Sequence, residues 1–183
     1  MYNWQLLDSP QDDAELIKYV INIFKEQYLI HFSNELLVNH NLPIEIRAFR
    51  HNDIWRVFLL LTPWTLARVF LPKSKPPSMV IPQGWQAKER VNAPFAVIGP
   101  ALPLDILGGR EMAHLNYHSK LGHYFIQPLI QSMEQFSDAD EAFHAWNEVI
   151  KTRDRVIEEQ NRHCEWQQEV SRREFFTKLR QRV

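Results

Sequence analysis

The stretch Arg56–Pro72, RVFLLLTPWTLARVFLP, constrains this chain more than any other. It is the most apolar run, and Pro63 stands near its middle. From Val57 to Leu71 it has fifteen residues, against roughly 20 needed to cross a bilayer as a helix. It also carries Arg68, so it does not read as a membrane span. Val, Phe and Leu dominate and a proline interrupts, which is the composition of buried strand. After Pro63 the chain either kinks and continues as a strand or makes one short helical turn. Ala67–Leu71 reads as extended.

The flanks fit a sheet. IEIRAFR alternates Ile44, Ile46 and Ala48 against Glu45, Arg47 and Phe49, the pattern of a half-buried strand. HND is a turn, and IWRVFLLLT is a second strand, apolar enough to be covered on both faces. The two form an antiparallel hairpin. Eight of the 11 prolines lie between Pro63 and Pro103, so that zone consists of edges and loops around short strands. PFAVIGP is one such strand, PLDILGG leads into a turn at Gly108 and Gly109, and MAHLNYHS alternates again. IQPLIQSMEQF is a short helix or an extended segment.

Helices bracket the sheet. In the first, Ser9 is the expected N-cap and Pro10 the first helical residue, with Asp12 and Asp13 at the positive end. Leu16, Ile17, Val20, Ile21, Phe24 and Tyr28 recur at helical spacing. Ser137 is the expected cap of a long second helix, whose apolar face runs through Ala142, Phe143, Trp146, Val149 and Ile150 and weakens at Val156 and Ile157. The expected fold is α+β: an antiparallel sheet with an N-terminal and a long C-terminal helix packed on one face. One domain over 1–157 and a charged helical extension over 158–183 account for 183 residues.

Composition narrows function. The formal net charge is −1, which gives no electrostatic case for nucleic acid. Cys164 is the one cysteine, so no internal disulfide forms and a reducing compartment fits. No basic or apolar leader opens the chain, and a cytoplasmic protein without stable membrane insertion is expected. No phosphate-binding glycine loop, nucleophile elbow or HExxH motif occurs, so neither an enzyme nor a cofactor is expected. His114, His118 and His123 fall within ten residues. The first two sit about 13 Å apart on a strand rising ~3.3 Å per residue, too far to share a metal unless the strand ends between them, and His123 lies past Gly122, where the chain can fold back. Trp55, Trp64 and Trp85 lie in or near the sheet and the proline-rich zone, where each fills a core or lines a groove for a partner.

The ordered set Glu45, Phe49–Arg50, Trp55, Thr62–Pro63–Trp64 and Leu71–Pro72 resembles the HybE/HupJ family of nickel–iron hydrogenase assembly chaperones. GHYFIQPLIQSMEQFSDADEAFHAWNEVI is similar to that family's closing segment, with Gln127 and Pro128, then Phe136 and Ala142, in the matching places. Many members carry CSLFSP where this chain has GHYFIQP. The resemblance covers residues 12 to 150. It implies a cytoplasmic, non-enzymatic maturation factor that binds the large or small hydrogenase precursor and holds back the small subunit's twin-arginine signal peptide. Trp55, Pro63, Trp64 and Phe70, with Tyr124 and Pro128, are then the expected apolar client contacts, and Glu45 and Arg50 the polar ones.

The tail raises its own question. SRREFF, with Ser171, Arg172, Arg173, Phe175 and Phe176, looks like a twin-arginine consensus. Residues 171–183 carry net +4 and the other 170 residues −5. It is either a basic helix end or an imitation of the client signal. Two rival functions stand beside the chaperone. One is a metal-handling maturation protein using His114, His118, His123 or Cys164; the other is a hydrolase with dispersed residues.

Overall fold

The run around Pro63 folds as a hairpin. Strand β2 (Trp55–Thr62) and strand β3 (Thr65–Pro72) pair antiparallel without interruption, from Trp55 opposite Pro72 to Thr62 opposite Thr65. Pro63 and Trp64 are the two turn residues. The Thr62 hydroxyl accepts from the Thr65 N–H at 3.0 Å and donates to the Thr65 carbonyl at 2.9 Å, closing the turn. Of the two courses open after Pro63, the chain takes the strand, but reversed. Reversal lets both halves of one apolar run enter the same sheet, and Leu60, Leu61, Leu66 and Ala67 are fully buried.

In this computed structural model the described residues are 4–8, 12–77, 79–106 and 109–161, with side chains through 158. Cys164 and the Ser171–Phe176 motif lie outside them. The chain divides into two compact units, residues 1–143 and 144–183. Among the described residues no helix is long and apolar enough to cross a membrane.

The first unit is built on two three-stranded meanders. Strand β1 (Glu45–Asn52) joins β2 and β3; β4 (Ala101–Ile106), β5 (Gly109–His118) and β6 (Gly122–Ile130) form the second set. Their last strands pair, giving one antiparallel sheet of order β1-β2-β3-β6-β5-β4. Pro128 is tolerated inside β6 because β5 has already ended its pairing at His114 opposite Ile126; there β6 is an edge on that side.

β1 departs from simple alternation. Its register shifts between Arg47 and Arg50, and Ala48 has a φ of 53°. This bulge reverses the inward parity. Ile44, Ile46 and Phe49 all pack on one cluster, while Ala48 is exposed. The expectation that Ala48 points inward and Phe49 outward is thereby corrected. The bulge also roughens a strand at the sheet edge.

Helix α1 (Asp13–Gln27) covers one face of the sheet through Leu16, Val20, Ile23 and Phe24, against Phe58, Leu60, Val69 and Tyr124. Its cap is Asp12, whose carboxylate accepts the Ala14 N–H; Ser9 and Pro10, the expected cap and first helical residue, lie outside the described residues. The other face buries Trp55, Val57, Phe70, Leu115 and Phe125, covered by Trp4 and by the connection between β3 and β4, including Ile81, Trp85 and the short helix α2 (Ala87–Arg90). Helix α3 (Ala139–Asn161) is capped by Asp138, which accepts the Glu141 N–H at 2.9 Å. Ser137, the expected cap, lies one residue earlier and donates to the Glu141 carboxylate. The apolar stripe expected along this helix is buried at Ala142 and Phe143, whereas Val149, Val156 and Ile157 are exposed.

Candidate functional site: an aromatic cleft beside the Pro63–Trp64 turn

α1 ends in a π-helical turn, Tyr28–Phe32. Such wide turns are rare and concentrate at functional sites. This one presents two rings to Trp64. Phe32 stacks on the indole with centroids 4.0 Å apart and planes 11° from parallel. Tyr28 lies parallel to the indole at 6.4 Å, and its hydroxyl meets His40 Nδ1 at 2.6 Å. Phe95 stacks on His31 at 4.0 Å and meets Phe32 edge-on at 5.8 Å. The turn bearing Trp64 is stapled by Asn39, whose N–H donates to the Pro63 carbonyl at 3.0 Å and whose side chain donates to the Met133 and Phe136 carbonyls.

Behind these rings lies a cavity of about 190 Å³. α1 supplies Ile23, Phe24 and Gln27; the sheet supplies Thr65, Tyr124 and Ile126; Phe95–Ile98 forms the roof. A second, open cavity of about 520 Å³ lies against Phe32, Glu35, Leu37, Phe95 and Val97. Several large apolar side chains of these two segments are exposed. Leu36 and Leu37 are 95% and 80% exposed, and Leu29, Ile30, Phe95, Val97 and Ile98 are exposed as well.

The roof was expected to be a strand, and it is not. Bounded by Pro94 and Pro100, it joins no ladder. Its polar groups are met by a side chain of β5 instead: Asn116 accepts the Gly99 N–H at 2.8 Å and donates to the Val97 carbonyl at 3.0 Å. His114 Nδ1 lies 2.8 Å from the Gly99 carbonyl. A Cβ at Gly99 would collide with the Leu115 carbonyl oxygen and reach 2.5 Å from the Trp85 ring.

The polar groups around the cavity are few and fixed. Burial pushes the Tyr124 phenol up to about 12, although a hydrogen bond with Asn116 pulls the other way. His118 Nδ1 accepts the Lys120 N–H at 3.2 Å, and its Nε2 meets the Gln27 amide at 3.0 Å; burial lowers its pKa. His123, fully buried on the sheet, accepts the Gln5 N–H through Nδ1 at 2.9 Å and donates through Nε2 to the Trp85 carbonyl at 3.0 Å. The three histidines are thus engaged separately. Among the described residues no group of three or more His, Cys, Asp or Glu converges as a metal site.

Of the residues singled out from sequence, Trp64, Tyr124 and Pro128 meet at this cavity. Pro63 is buried in the turn that holds Trp64. Trp55 and Phe70 are 4% and 1% exposed, on the opposite face of the sheet. Glu45 and Arg50 lie on β1, where Glu45 pairs with Arg47 and Arg50 is exposed. Sequence reasoning did not single out Phe32, Phe95 or Asn116. The exposed apolar pair at the end of α1 and the proline-bracketed PFAVIGP were the available signals.

Apolar contact, ring stacking and a few oriented hydrogen-bonding groups are what this cleft offers. The match is specific. The family model described as [NiFe]-hydrogenase assembly, chaperone, HybE covers residues 16–178, and the chain belongs to that family of hydrogenase assembly chaperones. No curated protein and no solved structure matched the chain.

Proposed function

We propose that this chaperone works in the cytoplasm, binding precursor subunits of a nickel–iron hydrogenase through the cleft beside Trp64 and delaying twin-arginine export of the small subunit until maturation is complete. The observation that carries this reading is the aromatic cavity together with the open cavity lined by the exposed apolar side chains Leu37, Phe95 and Val97. Monomers rarely expose contiguous apolar patches without a partner for them. An apolar, helix-forming segment of a signal peptide is the kind of ligand that lays one face into such a groove. Glu35 on the open cavity suits the basic residues that precede that segment. Trp64, Tyr124 and Pro128 are the client-facing members; Trp55 and Phe70 support the sheet behind them. Glu45 and Arg50 supply polar contacts at the β1 edge.

The test is co-purification with separately expressed large and small precursors, the small one with and without its signal peptide. Capture of the signal-bearing small precursor, lost when Leu37→Asp is introduced at the rim, is the expected result. Capture that is indifferent to the signal peptide removes the export-delay part. No capture of either precursor removes the reading.

A further inference from the structure

The apolar cavity has a polar neighbour. A pocket of about 230 Å³ adjoins it, and the two share Phe95, Ala96, Tyr117 and His118 as a common wall. His31, Arg90 and Ser119 supply the rest of its polar lining, and none of its lining residues is acidic. Arg90 is held in place on two sides. Its Nη2 donates to the Pro94 carbonyl at 2.7 Å, and its guanidinium lies over the Trp85 ring at 4.5 Å. Its Nε is buried without a hydrogen-bond partner. A guanidinium has five N–H donors in a fixed fork, so beyond the Pro94 bond the two Nη groups keep donors for a ligand, while the buried Nε is out of reach of one. The Glu89 carboxylate accepts the Gly84 and Gln86 N–H groups through one of its oxygens, and Glu26 pairs with Lys120.

We propose that this pocket is a carboxylate subsite, and that the cleft takes a peptide in which an apolar side chain stands next to a carboxylate. The apolar side chain enters the cavity under Phe95–Ile98, and the carboxylate meets Arg90. The cavity is smaller than the roughly 300–1,000 Å³ of small-molecule sites, so it suits one side chain. Only Phe95 and Ala96 of the roof separate the two compartments, so the two ligand groups are neighbours in sequence. An immobilised arginine fork matches a carboxylate in two-point geometry. This inference rests on the cleft being a protein-binding site, but not on which hydrogenase subunit binds there.

The test is isothermal titration of the full chain with three peptides: acetyl-Ser-Ala-Leu-Phe with a free C-terminal carboxylate, the same peptide amidated, and the amidated peptide extended by Glu. The first and third distinguish a terminal from a side-chain carboxylate. At least one of them binds 10-fold or more tighter than the amide, and Arg90→Gln brings it to the level of the amide while Arg90→Lys retains part of the gain. Equal affinity for all three, or an unchanged preference in Arg90→Gln, overturns the subsite. If no peptide binds while the precursor still co-purifies, the subsite falls and the chaperone reading stands. Should Arg90→Gln lose cooperative unfolding, the acid-to-amide ratio in the unsubstituted protein decides.

Discussion

Phe32 and Trp64 face each other as parallel rings 4.0 Å apart, one on the π-helical turn after α1 and the other on the tip of the β2–β3 hairpin. Trp64 is therefore neither loose on the surface nor sunk in the core; it is half-buried. Its removal costs two ring contacts of about 0.5–1.5 kcal/mol each. Trp64→Ala is expected to lower stability by about 1–3 kcal/mol and client capture by 10-fold or more. Trp55→Ala is the contrast. Trp55 packs edge-on against Phe70 and Phe125, and deleting such a buried ring costs about 3–5 kcal/mol. Urea unfolding beside precursor binding separates the two. Equal loss of stability in both variants would place Trp64 in the core.

His123 makes stability fall in mild acid. Burial lowers its pKa below the ordinary 6.5, and its Nδ1 already accepts the Gln5 N–H. Above pH 6.5 the folded and unfolded chains are both neutral at this ring, so stability is full. Below 6.5 the unfolded chain takes up the proton first, and stability declines until the pH passes the lowered folded value. His118, also lowered by burial, adds in the same direction. The urea midpoint is expected to be lower at pH 5.5 than at pH 7.5. His123→Gln, which replaces both hydrogen bonds without titrating, narrows that gap; a gap of full size would assign it elsewhere.

Gly99 is required for contact rather than for conformation. Any Cβ there meets the Leu115 carbonyl oxygen and the Trp85 ring. Gly99→Ala is expected to destabilise by about 1–3 kcal/mol, the usual range for overpacking, and to shift the roof away from β5. A melting temperature equal to that of the unsubstituted protein would contradict this.

Asn116 ties the roof to the sheet through two hydrogen bonds and is 3% exposed. Asn116→Leu leaves the Gly99 N–H and the Val97 carbonyl unpaired, at about 1–3 kcal/mol per group. Hydrogen exchange at the Gly99 amide is expected to accelerate while that of β2 and β3 amides changes far less. Uniform acceleration across the sheet would mean that the tie is global instead.

Local rules carried much of the fold. Pro63 inside a run of Val, Leu and Phe demanded a break between two buried strands, and HND between alternating segments demanded the β1–β2 turn. The helical spacing from Leu16 to Phe24 marked the face α1 buries. Other points were illegible because partners distant in sequence decide them. PFAVIGP has strand composition, but its polar groups go to Asn116, some 17 to 19 residues on. Ala48 leaves the alternation because a bulge reverses β1 parity, and nothing within seven residues announces that. Half of the cleft was visible in the turn bearing Trp64, whereas Phe32 and Phe95 gained meaning only by meeting it.

Backbone chemistry and order along the chain were enough for the α1 stripe, the β1–β2 hairpin, the interruption at Pro63 and the family, whereas the reversal at Pro63 came from the sheet it completes. Tertiary structure alone decided which tryptophan faces what. Trp55 and Trp64 stand nine residues apart in similar surroundings, yet one packs against Phe70 and Phe125 and the other against Phe32. Side-chain direction in a strand alternates, but a turn residue has no such rule. The ring at position 64 is oriented by what the end of α1 and the roof bring to it, and that comes from packing at long range.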